Sequence, residues 1–517
     1  MSRLGSALIA LTAFWPWPAG AAPTESLGEV SFRSSCRPSA EALVNRSMAL
    51  LHSFEYDEAR RSFQAVLAQD AECAVGHWGI AMSHLHPLWA PPTEAAFRKG
   101  AAALKRASGM ARMSARERGL IEALSAYYAQ PAGRHVDGLR AYADAMGRLH
   151  SRHSRDVEVS SLYALALMAT ADPADTRYTK QRQAGAILQS FVAAAPRHPG
   201  LTHYIIHAYD HADLAHLALD AARHYARIAP DSAHALHMPA HIFERLGMWH
   251  ESIQSNLRST EAARKHAATA GIHGHWDEEI HGLDFLLTAY LQTGDLVQAR
   301  TIRDRINGMT KVHPENFKVA HVFAMASSRV ALETQNWADA SRLELQHPGF
   351  PWHLFPWETA LVTFAAGYGK ARHRDVRGAE QASATLLDDE KRFTQLGLPE
   401  RALRARINAG IIDAWTALAR DDATGAVARL RQAADLEGGM AISDAPILPA
   451  AEILGDMHRV LNQHDAALKA YERSLARTPG RRNSIRGALE AATALGQTEV
   501  MARYRSMLAG ISHRSTP

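Results

Sequence analysis

The chain has 517 residues, and 57 lysines and arginines against 53 aspartates and glutamates give a formal charge of +4. The basic residues are scattered, so the sequence has no electrostatic footprint for nucleic acid, and we expect no nucleic-acid partner. A hydrophobic content of 47% and a charged content of 21% are typical of a folded protein. Histidine is the exception: there are 29 histidines, and many of them lie close together between His198 and His281.

The first 21 residues are typical of an export signal. Arg3 gives a positive start, residues 4–14 are mostly apolar, and Ala19-Gly20-Ala21 offers small residues for cleavage. The apolar run is too short for a membrane span, and no later segment reaches the required length. We therefore predict a signal peptide over 1–21 and a periplasmic or secreted mature chain without a membrane span; an uncleaved anchor is the alternative.

The only two cysteines, Cys36 and Cys73, flank a predicted helical hairpin with helices over about 39–53 and 57–69. Antiparallel helices bring the start of the first beside the end of the second. In an oxidising compartment these positions predict a disulfide bond, and two separate buried thiols are the alternative.

Helical periodicity runs through the chain, without convincing strand alternation. The clearest repeat unit is 454-LGDMHRVLNQHDAALKAYERSLARTPG-480. The unit has small residues at Gly455 and Ala467, an aromatic residue at Tyr471 and a terminal proline at Pro479. Leu454 and Leu475 are its apolar positions. This pattern resembles the tetratricopeptide repeat, in which small residues let paired helices approach and an aromatic side chain fills the gap between them.

The resemblance implies an all-α fold, a tetratricopeptide-type solenoid of helical hairpins with a concave groove. We divide the mature chain into N-terminal repeats (22–106), divergent repeats (107–195), histidine-rich repeats (196–310), divergent repeats (311–440) and C-terminal repeats (441–511). The stretches 79-GIAMSHLHPLWAPP-92, 114-SARERGLIEAL-124 and 234-HALHMPAHIFERLGMW-249 also resemble a family of exported bacterial repeat proteins. That resemblance implies a fold and a compartment, but no reaction.

Histidines recur in register with the repeat. His203 and His237 are separated by one repeat length of 34 residues (237 − 203), and so are His207 and His241 (241 − 207). The first helix of each tetratricopeptide pair lines the concave groove, so the resemblance places these side chains on that surface. Histidines four residues apart share one helix face, and neutral imidazole is the commonest metal ligand.

The sequence therefore predicts a transition-metal site on the concave face that binds zinc, copper or iron. The number of candidate ligands is large enough for two ions. Asp210 and Glu244 are also 34 residues apart (244 − 210), which makes them candidate catalytic acid and base residues. The candidate metal ligands are His203, His207, His211, His234, His237, His241, His281 and Asp284.

Three functions stay open at this point. One is a metal-dependent hydrolase or oxidoreductase. Another is a metal-free scaffold that binds a small molecule, peptide or protein partner in a histidine-lined groove. The third is metal storage or delivery. The glycine-rich segment 271–276 is either a lid over the groove or an ordinary surface loop.

Overall fold

The computed structural model describes residues 26–89, 91–440 and 447–512. The predicted signal peptide lies outside these residues. Within the described part of the chain, no helix is both long and apolar enough to cross a membrane.

The described residues form an all-α solenoid of consecutive helical pairs, as the sequence predicts. The pairs are α1 (Glu41–His52) with α2 (Tyr56–Gln69), α3 (Ala74–Met82) with α4 (Glu94–Ser108), α5 (Ala115–Tyr128) with α6 (His135–Arg152), α7 (Val157–Ala169) with α8 (Thr179–Val192), α9 (Pro199–Tyr209) with α10 (Leu219–Ile228), α11 (Ala233–His237) and α12 (Pro239–Arg245) with α13 (Trp249–Thr269), α14 (Asp277–Thr293) with α15 (Leu296–Asn307), α16 (Phe317–Glu333) with the short α17 (Trp337–Ala340), α18 (Pro356–Arg372) with α19 (Val376–Gln395), α20 (Pro399–Ala419) with α21 (Ala423–Gly438), α22 (Ala450–Val460) with α23 (His464–Arg477), and α24 (Arg482–Ala494) with α25 (Thr498–Ser512). Short 3₁₀ helices occur at Pro38–Ala40, Ala215–Ala218 and Trp352–Leu354.

The repeat pattern read from the sequence has a direct packing basis. A Cβ atom on Gly455 would lie 2.7 Å from Tyr471, whose ring is fully buried between the paired helices. In the first two pairs, a Cβ on Gly79 would lie 2.3 Å from the ring of Phe63. A larger residue at either glycine would push the helices apart, so the small residue and the aromatic ring work together.

Helix boundaries follow ordinary capping chemistry. Ser114 and Glu117 form a capping box at the start of α5. α11 ends at His237 and α12 begins at Pro239, so a single residue separates them. Because proline lacks an N–H and clashes with the preceding turn, it divides what would otherwise be one helix.

Two very short strands were not predicted. β1 (His275–Trp276) and β2 (Val312–His313) pair in parallel, which fixes the end of the glycine-rich segment 271–276 against the loop before α16. The ring of Trp276 also packs on His266 at a centroid distance of 4.5 Å. The segment is therefore tied down at its C-terminal end.

The solenoid closes on itself at two places. In the N-terminal half, α1 packs against α9, four pairs further along the chain. In the C-terminal half, Arg481 lies between the carboxylates of Glu333 and Glu452, while the backbone N–H of Arg482 donates to Gln292 at 2.9 Å. Parts of α9, α14 and α16 are therefore covered by other elements of the same chain.

The predicted disulfide between Cys36 and Cys73 is confirmed. The boundaries assigned to the repeat groups remain predictions, since the helical pairs continue through them without an interruption that would define domains.

We expect the variant Cys36→Ala/Cys73→Ala to lose about 3 kcal/mol of unfolding free energy, because the bond closes a loop of 37 residues in the unfolded chain. Denaturant unfolding of the oxidised wild type, the reduced wild type and the variant measures this. The reduced wild type should behave like the variant, and identical midpoints for all three would contradict the prediction.

Candidate metal centre

Two clusters of three histidines lie on the inner helices of three consecutive pairs. Cluster 1 consists of His203, His207 and His234, and cluster 2 consists of His237, His241 and His281. In each cluster the candidate ligand atoms all lie within 4.8 Å of one another.

Both clusters are built in the same way. One inner segment, which is α9 in cluster 1 and the broken helix α11–α12 in cluster 2, supplies two histidines four residues apart. The next inner helix supplies the third. Cluster 1 takes its pair from α9 and His234 from α11, whereas cluster 2 takes His237 from α11, His241 from α12 and His281 from α14. The structure therefore separates six of the predicted ligands into two groups.

The spacing of the ring nitrogens suits a shared ion. In cluster 1 the Nε2 atom of His203 lies 3.0 Å from Nε2 of His207 and 3.2 Å from Nε2 of His234. In cluster 2 the Nε2 atoms of His237 and His241 are 3.0 Å apart. Two imidazole nitrogens bound to one tetrahedral zinc ion at about 2.0–2.1 Å would be separated by about 3.3 Å.

In cluster 1, hydrogen bonds at the opposite side of the rings assign the tautomers. His203 Nδ1 lies 2.6 Å from the backbone carbonyl oxygen of His52, which can only accept a hydrogen bond. His234 Nδ1 lies 3.3 Å from a carboxylate oxygen of Glu278. Both rings therefore carry their proton on Nδ1, and their Nε2 lone pairs face each other.

Cluster 2 has the same arrangement with different acceptors. His237 Nδ1 donates to Asn256 Oδ1 at 2.7 Å, and the amide of Asn256 is oriented by its own donation to the Ser252 carbonyl at 2.8 Å. His241 Nδ1 donates to Asp210 Oδ2 at 2.9 Å. Two Nε2 lone pairs again face each other, which is unfavourable unless a cation lies between them.

Burial disfavours a proton as that cation. The side chains of His203 and His237 are fully buried, and burial holds the pKa of both rings well below the usual range. Burial, together with the neighbouring His234, lowers the pKa of His207 to about 3. These three rings are therefore neutral near pH 7, which is the form that binds metal.

A phenylalanine ring lies against each cluster. The ring of Phe54 is 4.4, 5.3 and 5.9 Å from the rings of His203, His207 and His234. The ring of Phe285 is 4.5, 4.8 and 5.3 Å from those of His237, His241 and His281. These apolar neighbours limit water access, which favours neutral rings and strengthens electrostatic interactions with a bound ion.

The two predicted catalytic carboxyls have different surroundings. Burial alone would raise the pKa of Asp210, but Arg245 and His241 bind its two oxygens and lower it far below the usual range. Asp210 therefore orients a candidate ligand and has no free oxygen for acid–base chemistry. Burial and the nearby Asp284 raise the pKa of Glu244 to about 8, and Glu244 accepts a hydrogen bond from Ser252.

Two predicted ligands lie outside both clusters. His211 follows the end of α9 and packs against the Tyr178 ring at 4.8 Å, because the helix ends at Tyr209 and the chain turns away. Asp284 lies 3.5 Å from Arg329 and 3.8 Å from His321, so a guanidinium group occupies the place of a cation there.

A third group, not predicted from the sequence, joins α1 to the centre. Glu158 accepts hydrogen bonds from His52 Nε2 at 2.8 Å and from His198 Nε2 at 3.0 Å. The hydroxyl of Tyr204 donates to His52 Nδ1 at 3.1 Å, and the N–H of Leu201 donates to His198 Nδ1 at 3.2 Å. Every ring nitrogen has a complementary partner, so this His–Glu–His network is complete without a cation.

The network positions cluster 1, since the carbonyl of His52 is the acceptor for His203. Sequence reasoning missed it because His52 and Glu158 are 106 residues apart and neither falls in the histidine register. Asn256 and Glu278, which accept hydrogen bonds from His237 and His234, likewise do not recur at the repeat spacing that identified the histidines. The return of α1 onto α9 brings His52 to Glu158 and His203, whereas Asn256 and Glu278 meet their histidines where α13 and α14 pack on α11.

Comparisons with known proteins identify no family for this chain. The chain matches no protein-family model and no curated protein sequence. It is similar to the structure of a human IFIT1 dimer with m7Gppp-AAAA, at 11% identity over 90% of this chain and 95% of that chain, with a TM-score of 0.36. It is also similar to the APC/C hetero-tetramer Cut9–Hcn1, at 13% identity over 92% of this chain and 94% of that chain, with a TM-score of 0.29.

At such identities and TM-scores, these similarities carry no argument about ligand or activity. The described helices themselves define the class, an all-α, tetratricopeptide-type solenoid of helical hairpins.

We expect Glu158→Gln to reduce the unfolding free energy by about 3 kcal/mol, because an amide NH₂ would face the N–H of a buried imidazole. Denaturant unfolding of the metal-free protein measures this loss. Glu122→Gln, at an exposed position on α5, is the matched control and should be neutral. Equal stability of the two variants would contradict the role given to the network.

Proposed function

We propose that this chain is an exported helical-repeat protein that binds two transition-metal ions, one in each three-histidine cluster. The observation that carries the proposal is the pairing of Nε2 lone pairs at 3.0 and 3.2 Å in rings whose Nδ1 protons are already donated to oxygen atoms. A metal cation at each cluster turns this repulsion into coordination.

The ligand set narrows the choice of metal. Six imidazoles without a thiolate suit zinc, copper or iron. The two cysteines are joined in a disulfide and lie elsewhere in the fold, so they are not available as ligands. Both the disulfide and the signal-like N-terminus support an oxidising compartment outside the cytoplasm as the location.

Three protein ligands leave a coordination position for water or substrate, which is the usual arrangement of catalytic zinc. His207, His241 and His281 are partly exposed, so each cluster has at least one ring at an accessible surface. A metal-dependent hydrolase or oxidoreductase is therefore the enzymatic form of the proposal. Bound metal would supply an activated water or a redox centre, while Asp210 and Asn256 orient the ligands.

A metal-free scaffold for a peptide or protein partner is the second candidate, because solenoids of helical hairpins present extended binding surfaces. It predicts that each cluster histidine can be replaced separately at small cost. Storage or delivery of metal is a third form, which predicts binding without turnover.

We expect about two equivalents of metal in the purified wild type, one in His207→Ala, one in His241→Ala and none in the double variant. Elemental analysis of the tag-free protein, before and after incubation with zinc, copper or iron salts, measures this. His216→Ala, at an exposed histidine outside the clusters, should keep both ions. Absence of bound metal from the wild type under all these conditions would exclude the proposal.

We expect Asp210→Asn to weaken metal binding at cluster 2 by about 10–100-fold, because the carboxylate no longer holds and polarises His241. Cluster 1 should keep its affinity. Titration against a coloured chelator, with His207→Ala as the background to isolate cluster 2, measures the change. Asp220→Asn, exposed on α10, should leave the affinity unaltered, and an unchanged affinity in Asp210→Asn would refute the positioning role.

A further inference from the structure

A large cleft lies outside the two clusters. It has a volume of 1330 Å³, and its walls come from the first two helical pairs and from the starts of α14 and α16. None of the six cluster histidines lines it. Its residues Phe54 and Trp89 separate it from cluster 1, since both rings are 5.9 Å from the ring of His234.

Part of the cleft has an excess of positive charge. Lys99 and Arg106 line it from α4, are exposed, and have no ion-pair partner among the described residues. The facing arginines on α2 are each paired within their own helix, Arg60 with Asp57 and Arg61 with Glu58. Two uncompensated basic groups on one wall suit a carboxylate.

Another part of the cleft has an excess of acidic groups. Glu55, Asp277 and Glu278 line this part together with a single cation, Lys318. The ammonium of Lys318 is engaged by Asp277 at 2.7 Å and by Glu278. Glu55 accepts a hydrogen bond from the hydroxyl of Ser232 at 2.8 Å and forms no ion pair among the described residues. Burial and the nearby Glu278 raise the pKa of Glu55 to about 8, and an ammonium group beside it would favour its ionised form.

Aromatic rings accompany the acidic groups. Tyr56 stacks on His86 at 4.1 Å and meets Trp89 edge-on at 5.4 Å. The Lys318 ammonium lies 4.9 Å from the centre of the Trp89 ring, so this ring already takes part in a cation–π contact. Aromatic faces beside a carboxyl group are a recurring environment for ammonium ligands.

Apolar side chains also line the cleft. Leu67, Ile80 and Ala103 contribute from α2, α3 and α4. The volume exceeds the 300–1,000 Å³ or so that is typical of pockets for drug-sized molecules, which favours an extended ligand over a single amino acid.

We propose that this cleft binds a short peptide with free termini, with the α-ammonium group at Glu55 and the α-carboxylate at Lys99 and Arg106. A zwitterion complements both charged parts of the cleft at once, whereas a simple anion or a simple cation leaves one part unmatched. The peptide backbone and apolar side chains then lie over Leu67, Ile80 and Ala103.

The site adjoins the metal centre through one carboxylate. Glu278 contacts the Lys318 ammonium with Oε1 and accepts from His234 with Oε2 at 3.3 Å. Peptide binding itself needs no ion, so it is measured in the metal-free protein, and its failure is independent of failure of the metal proposal.

The experiment is calorimetric titration with the tetrapeptide Ala-Phe-Ala-Gly, its N-acetylated form and its C-terminal amide. Each cap should weaken binding to the wild type by about tenfold, since it removes a charge-assisted interaction. In Glu55→Gln, the free and acetylated peptides should bind equally. In Lys99→Ala/Arg106→Ala, the free and amidated peptides should bind equally.

Matched controls lie close to these positions. Lys105→Ala, exposed on α4 outside the cleft, and Glu72→Gln, exposed in the turn before α3, should keep both preferences. The proposal is overturned if the free peptide shows no saturable binding at millimolar concentration or if the capped peptides bind the wild type as well as the free one. It is equally overturned if the cleft variants retain the wild-type preferences.

Discussion

The candidate metal centre depends on the hydrogen bonds that hold the Nδ1 side of its imidazole rings. With those Nδ1 atoms bound to oxygen, Nε2 atoms face each other at 3.0–3.2 Å, an arrangement that a metal cation would stabilise. The four acceptors are the His52 carbonyl, Glu278, Asn256 and Asp210, and they come from four separate places in the chain. The centre is thus a property of the packed solenoid rather than of any single helix.

Closure of the solenoid provides part of this arrangement. An open superhelix would leave the inner face of α9 in water, where imidazoles are solvated and readily protonated. Because α1 returns to pack on α9, His203 is fully buried and its ring orientation is fixed by the His52 carbonyl. The hydrogen bonds of Glu158 with two imidazoles hold that return in place, so the same contact that closes the fold also prepares the cluster.

The sequence predicted the helical class, the disulfide and the histidine register, because each rests on local periodicity or on the spacing of hairpin helices. The 34-residue repeat identified the pairs on α9 and on α11–α12. It did not separate the six ligands into two clusters, since that depends on how far each inner helix is rotated relative to the next. His211 lies outside both clusters because α9 ends at Tyr209 and the chain then turns, and Asp284 lies outside them beside Arg329 of α16.

The contact of Asp284 with Arg329 and His321 has the same position in the solenoid as the two clusters, one inner helix further along. There, too, one helix supplies a residue of a type that can bind metal, Asp284, and the next helix supplies a histidine, His321. The positive charge, however, belongs to the side chain of Arg329. Under the metal proposal, an ion and an internal ion pair are thus alternative occupants of a repeating position. Copying one helical pair would then duplicate a set of histidines, and a single exchange to arginine would replace an ion with a permanent charge, so the number of ions held could change while the helical architecture is kept.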